Sequence, residues 1–421
     1  MKVLVVGSGG REHAICWALK KSPKVTELFC APGNGGISEI AQCVDVKATD
    51  IDGMVAWAKE NKMDFVMVAP DDPLAMGMVD ALEAAGIRAF GPRANAAIVE
   101  GSKAFSKELM KKYGIPTAAY EIFTDMDAAL AYVEEQGAPI VVKCDGLALG
   151  KGVVVASTVE EAKEAVVNMM GNRAFGAAGA KLVIEECMTG PEVTVLAFTD
   201  GKTIVPMPSS QDHKRAFDHD EGPNTGGMGA ISPCPNYKKE HAEICMKTIF
   251  QPTVDALNAE GRTFKGVIYF GMMLTPKGPK VVEYNARFGD PECQAVLSLL
   301  ETDLMDILEA CVDGTLDRLD VKFKDAASCC LVLASGGYPV AYEKGKEITG
   351  LDAVKNAVVF HAGTKLQDGK FYTNGGRVLG VTAVGADLRS AVDAAYAAAK
   401  PISFEKMHFR TDIGYHILDE I

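Results

Sequence analysis

Short all-apolar runs alternate with amphipathic stretches through the first ninety residues. Val3–Val6 is the first run, and it breaks into Gly7-Ser8-Gly9-Gly10. Arg11–Lys20 then sets Ala14, Ile15, Ala18 and Leu19 on one helical face. Glu27–Cys30 is a second run, ending at Ala31-Pro32-Gly33, and Phe65–Val68 is a third, ending at Ala69-Pro70-Asp71. A helix around Ile51–Lys62 lies between them. This order predicts a parallel sheet with helices on its faces, and such sheets gather ligands at the loops where strands end.

Further along, Ser102 is placed to cap a helix through Lys112, stopped by Gly114 and Pro116. Asp127–Gln136 reads as a helix. Ile140–Lys143 and Val153–Val155 flank a glycine-rich loop, and Leu182–Glu186 and Glu192–Phe198 are strands. Glu240–Glu260 reads as one long helix, and Val267–Leu274 with Lys280–Asn285 as a hairpin about Pro276-Lys277-Gly278. From about Ala326 short strands alternate with turns: Cys329–Ala334, Val358–Thr364, Lys370–Thr373 and Val378–Val384. A last helix, Asp387–Lys400, aligns Leu388, Ala391, Val392, Ala395 and Tyr396 before Pro401. That final stretch is expected to form a separate α+β domain.

Length and composition narrow the class. Single cores rarely grow past roughly 250–300 residues, so 421 residues predict two or three domains. A net charge of −13 argues against sequence-blind nucleic-acid binding, which depends on Lys and Arg. The eleven cysteines include no CxxC pair and sit within apolar runs, as Cys16, Cys30, Cys245, Cys329 and Cys330 do. They read as small buried hydrophobes in a reducing cytoplasm. Val3–Val6 is too short for a secretory leader, and no run approaches a membrane span.

Chemistry concentrates in four places. In Val281–Glu292 (VVEYNARFGDPE), residues two apart share a strand face, which aligns Glu283, Asn285 and Arg287. Two oxygen donors suit a hard divalent cation that completes its shell with water and phosphate, and the guanidinium suits an oxyanion. The Gly7 turn lacks a third glycine of GxGxxG, because Glu12 stands there, and the second strand ends without an acidic residue. That disfavours NAD and leaves an anion site at a helix start, with Arg11 adding charge. Lys143–Val153 (KCDGLALGKGV) is not a Walker loop, yet Lys143, Lys151, Gly146, Gly150 and Gly152 suit a flap over phosphates. Val183–Met188 offers alternating backbone groups to a flat base, with Glu192 beyond it for ribose. Gln211–Asp218 and Gly222–Gly229 look too charged and glycine-rich for regular elements and read as a substrate-holding loop. His213 reads as a solvated loop histidine with no catalytic role.

Taken together, VVGSGGREH, EGSKAFSK, KCDGLALGKGV, QDHKRAFD, GPNTGGMG and EYNARFGDPE, in this order, resemble the glycinamide ribonucleotide synthetase family of the ATP-grasp superfamily. The resemblance spans essentially the whole chain. It implies an α/β and α+β multidomain fold: an N-terminal α/β substrate-binding domain over 1–102, an ATP-grasp domain over 103–325 with a mobile lid at about 120–188, and a C-terminal α+β domain over 326–421. It implies ligation of glycine to 5-phosphoribosylamine with ATP, in purine synthesis. Glu283 and Asn285 match the ligands of Mg²⁺ or Mn²⁺, Lys103 and Lys143 the phosphate-contacting lysines, Glu185, Glu186 and Cys187 the adenine strand, and Glu192 the ribose contact. Gly9, Gly10, Arg11, Asp212, Lys214 and Asn224 fall where the aminosugar phosphate and glycine are expected, and Arg287 and Asp290 where transition-state and substrate partners are expected. Three positions depart from the family pattern: Leu149 in the flap, Ile231, and Asp71, one carbon shorter than the usual glutamate.

The implied chemistry suits the residues. A carboxylate becomes electrophilic once phosphorylated, and the protein then mainly positions reactants and neutralises charge. Direct transfer from ATP to glycine, followed by amine attack, needs no nucleophilic Ser, Cys or His. The expected partners are small molecules only, and a monomer is expected. The rival readings are another ATP-grasp carboxylate–amine ligase, or an NAD(P)-linked oxidoreductase using the Gly7 loop.

Overall fold

The computed structural model describes residues 1–147, 152–172 and 174–419. Gly150 and Lys151 of the flap therefore lie outside the described residues.

Five parallel strands form the N-terminal sheet, in the order Gln42–Cys43, Glu27–Pro32, Lys2–Gly7, Phe65–Val68, Arg88–Phe90. Both faces are covered, which is why the strand runs are apolar without alternation. Val3 and Val5 pack with Ala14, Ile15 and Leu19, whereas Leu4 and Val6 pack with Met54, Ala58 and Leu82. The same two cores continue into an antiparallel central sheet, ordered Ile204–Pro206, Glu192–Thr199, Gly266–Thr275, Gly278–Asn285. Val195 and Phe270 join one core, Phe198 and Val267 the other. The N-terminal and central sheets are thereby fixed to each other by shared burial.

Residues 120–186 build a smaller unit. Its antiparallel sheet runs Tyr120–Phe123, Leu182–Glu186, Ile140–Cys144, Val153–Ala156. Helices Met126–Gln136 and Val159–Val166 close a separate core of Ala129, Val133, Ile140, Val142, Ala162 and Ile184. Helix Lys103–Tyr113 leads into it, capped as the sequence predicts: Ser102 accepts a hydrogen bond from the Phe105 amide, and Gly114 adopts the left-handed conformation.

Three readings of the sequence need correction. The long helix is interrupted: Lys239–Cys245 passes through a π turn, Met246–Phe250, into Gln251–Ala259. Pro252 lacks the amide that a regular helix requires there, and the wider turn precedes it. The segment 211–232 is also not an irregular loop. Gln211–Asp212 pairs with Gly229–Ser232, which pairs in turn with Ala327–Ser335. Arg215–Phe217 and Glu221–Asn224 form a small hairpin between them. The C-terminal sheet thus runs Gln211–Asp212, Gly229–Ser232, Ala327–Ser335, Arg377–Gly385, Val358–His361. Helix Leu388–Ala399 covers one face through Leu388, Ala391, Val392 and Ala395. Short-range pattern hid this arrangement because the pairing partners lie about a hundred residues away. The run Val358–Thr364 is also divided. It breaks at Gly363, where any side chain would collide with the Gly375 backbone.

Candidate active site

The strand Gly278–Asn285 carries the densest chemistry, and a local irregularity aims it. Gly271 is paired with Glu283 and Met272 with Val281, which leaves Val282 as a bulge. Val281 and Tyr284 face the core, while Glu283 and Asn285 turn to the opposite side. Without the extra residue, strict alternation would point Glu283 the same way as buried Val281. Burial alone would raise the Glu283 carboxyl, but Lys214, Lys143, Lys103 and Arg287 outweigh it and hold it below the usual carboxylate range. Glu283 is therefore an ionised oxygen donor facing four cations. No cluster of three or more acidic, His or Cys side chains suited to a metal occurs among the described residues. Two protein oxygens fit a cation that takes its other ligands from phosphate and water.

Arg287 lies just beyond the strand end. Its Nη2 is 2.6 Å from Glu100 Oε1, 3.7 Å from Asp71 Oδ2 and 3.5 Å from Asn285 Oδ1. The short Asp71 side chain thus still approaches the guanidinium. Glu100 also accepts the Ala286 amide at 2.7 Å, so the N-terminal region anchors the turn that carries Arg287.

Asp290 joins three parts of the chain. Its carboxylate accepts from the Arg11 amide at 3.3 Å and from Gln294 Nε2 at 2.8 Å, and lies 3.6 Å from Arg377 Nη1. Burial would raise it; Arg377 and Arg11 prevail and hold it low. The Gly7 turn meets this point. Glu12 accepts the Gly9 amide at 2.6 Å and holds Arg11 Nε at 2.8 Å, while Arg11 Nη1 donates to the Phe288 carbonyl. A side chain at Gly10 would strike Gln294 Nε2. Glu12, which disfavours a dinucleotide reading, thus organises the turn and directs the Arg11 charge inward.

A pocket beside Glu283 is lined by Glu192, Thr194, Asp212, Lys214 and Tyr269. Tyr269 donates to Glu292 Oε1 at 3.1 Å and accepts from Thr194 Oγ1 at 2.9 Å. Burial and the nearby Glu292 charge push Asp212 up to about 7, against the pull of Lys214. Lys214 lies 3.6 Å from Glu192. Asn224 is exposed on the adjoining hairpin and is not among the pocket's lining residues.

On the side facing residues 120–186, Lys103 Nζ donates to the Gly146 carbonyl at 2.9 Å. Lys143 is buried, ion-paired with Glu185 and 3.5 Å from the Val282 carbonyl. Glu185 is itself buried, whereas Glu186 is exposed and accepts from the Ala119 amide and Lys280. Cys187 is partly exposed and unbridged; Gly152 is buried, and its carbonyl accepts the Cys144 amide at 2.9 Å. All eleven cysteines are free, nine of them buried.

His213 is not solvated. It is 3% exposed, its Nδ1 donates to the Gly229 carbonyl at 3.3 Å, and its Nε2 accepts the Gly414 amide at 3.2 Å. It is a tie between segment 211–232 and the chain's last helix. Sequence reasoning also left Lys107, Glu100, Tyr269, Glu292 and Arg377 without roles. Glu292 closes the EYNARFGDPE motif, and Glu100 and Lys107 open and close EGSKAFSK, so these three were within reach of a motif; Tyr269 and Arg377 become neighbours of the site only through folding.

Family models for phosphoribosylglycinamide synthetase match the chain in three parts: the N domain over 1–100, the ATP-grasp (A) domain over 101–293 and the C domain over 328–416. Phosphoribosylamine–glycine ligases of Halalkalibacterium halodurans and Rhizobium meliloti are 48% and 50% identical, covering 100% and 99% of this chain and 98% of each relative. The crystal structure of phosphoribosylamine–glycine ligase from Thermotoga maritima aligns with TM-score 0.86 at 32% identity, over 98% of this chain and 100% of that one. A biotin carboxylase domain from Hydrogenobacter thermophilus, solved with MgADP, ADP and bicarbonate, shares the fold at TM-score 0.73 and 18% identity, over 96% and 91% of the two chains.

Proposed function

The chain belongs to the phosphoribosylglycinamide synthetase family, and from that premise we propose how its residues divide the work. It catalyses the ATP-dependent ligation of glycine to 5-phosphoribosylamine, giving glycinamide ribonucleotide, ADP and phosphate, a step of purine biosynthesis. ATP and a divalent metal ion serve the reaction. The metal is Mg²⁺ or Mn²⁺, held by Glu283 and Asn285, and it supplies charge neutralisation and alignment of the phosphates. The enzyme works in the cytoplasm as a monomer.

The observation that carries this reading is the bulge that turns Glu283 and Asn285 to one side, where Lys103, Lys143, Lys214 and Arg287 are near enough to hold Glu283 ionised. ATP lies between the unit 120–186 and the central sheet. Lys103 and Lys143 hold its phosphates, residues 185–187 meet the base, and Glu192 meets the ribose. A glycine carboxylate oxygen attacks the γ-phosphorus as the bond to ADP breaks, forming glycyl phosphate, with Arg287 drawing off developing charge. The aminosugar nitrogen then attacks the carbonyl carbon and phosphate leaves. Asp212, poised near neutrality beside Lys214, accepts the proton that the nitrogen sheds. Gly9, Gly10, Arg11, Asp290 and Asn224 frame the aminosugar side.

ADP release is measured with Mg²⁺, ATP, glycine and fresh phosphoribosylamine, beside Glu283→Ala. Turnover that requires all three substrates and collapses in the variant is expected. Positional isotope exchange in ATP that needs glycine but not the amine supports glycyl phosphate. Its absence, with free release of product shown separately, removes that intermediate.

A further inference from the structure

Lys107 is a buried cation that this division of work leaves without a task. It lies one helical turn beyond Lys103 on helix Lys103–Tyr113, so the two share a face. Its side chain is 3% exposed. Nζ sits 2.5 Å from Glu185 Oε2 and donates to Thr117 Oγ1 at 2.7 Å. Thr117 Oγ1 donates onward, at 2.7 Å, to the carbonyl of Val281, on the strand that carries Glu283 and Asn285. The other oxygen of Glu185 is taken by Lys143.

These contacts fall at the base of the unit 120–186. Thr117 belongs to the connection by which the chain enters it, and Glu185 to the last strand before the chain leaves. Lys107, on the helix preceding the unit, touches both crossings. The other groups facing it do not balance the charge. Glu186 directs its carboxylate at the Ala119 amide and Lys280, and Tyr120 presents only its ring, 5.7 Å from Nζ. One carboxylate therefore stands between two buried ammonium groups, and the charge of Glu283, which also acts on Lys143, is the one assigned to the metal ion. A buried cluster with an excess charge is costly unless an opposite charge completes it.

We propose that Lys107 is a positioning residue of the nucleotide site: it fixes Glu185, and through it Lys143, against the strand bearing Glu283, and leaves the cluster one negative charge short so that a nucleoside triphosphate completes it. The inference rests on the reading that ATP lies between the unit 120–186 and the central sheet. Burial, with Lys143 adding to it and Glu185 opposing, lowers Lys107 to about 8. The cluster then carries its excess positive charge below that pH and loses it above.

Binding of a non-hydrolysable ATP analogue with Mg²⁺ is measured by calorimetry in Lys107→Met, Lys107→Arg and, as a control, Lys143→Met. The pH dependence of kcat/KM for ATP is recorded for wild type and the Arg variant. Lys107→Met is expected to bind about 10- to 100-fold more weakly, the loss of a charged buried hydrogen bond. Lys107→Arg is expected to bind nearly as wild type. In wild type kcat/KM falls above about pH 8, and in Lys107→Arg that fall is absent, because a guanidinium does not titrate there. Wild-type binding by Lys107→Met overturns the inference. If that variant does not fold, an alkaline fall that persists unchanged in Lys107→Arg overturns it. If Lys143→Met also binds as wild type, the nucleotide placement itself fails; if only Lys107→Met does, the inference alone fails.

Discussion

Replacing Arg410 by Met removes the best-buried cation of the C-terminal region while keeping most of its length. Arg410 is 0% exposed. Its Nε and Nη2 grip Asp412 at 2.7 and 2.8 Å, and Nη1 reaches Asp220 Oδ1 at 2.9 Å and the Arg215 carbonyl at 3.2 Å. The Asp220 side chain is 60% exposed, so that pair contributes at most about 1 kcal/mol. Asp412 is mostly buried, and orphaning such a carboxylate costs about 3–5 kcal/mol. It keeps the His219 amide at 2.9 Å, which places the expected loss near the lower end, about 3 kcal/mol. These bonds tie residues 215–220 to 410–412, so the opening is local. Hydrogen exchange in both segments is the direct assay, with an acceleration of about 100-fold expected. KM for the amine substrate is expected to rise more than KM for ATP, because the loosened segment 215–220 directly follows Lys214. Burial would raise Asp412, yet the Arg410 fork and the His219 amide hold it well below the usual carboxylate range. The stabilisation is then complete above about pH 4 and fades only as pH falls through the lowered value. Unchanged exchange in both segments of a folded Arg410→Met protein would refute this account.

Three further expectations follow from the same geometry. Burial holds His13 and His213 at about 3 and His361 at about 4; all three lie below the unfolded value, so stability falls as pH drops below about 6, by about 4 kcal/mol per unit for three protons, and urea midpoints that stay flat from pH 6.5 to about 5 contradict it. In Glu283→Gln the metal concentration for half-maximal activity is expected to rise at least about tenfold; an unchanged saturation curve removes Glu283 from the metal site. Asp212, raised to about 7, costs wild type stability as pH rises from about 4 to 7. Asp212→Asn is therefore expected to unfold at higher temperature than wild type at about pH 8, with little difference at about pH 4, while turnover falls at least about 100-fold; a variant less stable at the higher pH contradicts the assignment.

Much of this was legible in residue order, where short-range rules decide. Ser102 caps its helix as read because a side-chain oxygen three residues ahead of an open amide is a local arrangement. Glu283 and Asn285 share a face by strand alternation, but the bulge at Val282 that turns this face toward the cations has no signature in the sequence. Glu100 was unreadable as the anchor of Arg287, since 187 positions separate them in number and only the packing of N-terminal and central sheets joins them. Segment 211–232 misled for a related reason. Charge and glycine predict a loop, yet its Gly229–Ser232 end pairs with Ala327–Ser335, and the buried His213 bonds the Gly229 carbonyl and the Gly414 amide.

The sheet shared between Gly229–Ser232 and Ala327–Ser335 bears on how this family can be recombined. The boundary drawn along the chain near residue 326 is a seam in the sequence, not in the molecule. A cassette beginning there would travel without two of its strands, and the remainder would keep Gly229–Ser232 with its backbone unpaired on one side. Grafts between relatives, and any inherited fusion or split, are viable where residues 211–232 and the last hundred residues descend together. Compatibility between parents should therefore track matched side chains across that one ladder, such as Ile231 with Cys329 and Ala230 with Cys330, more closely than overall identity.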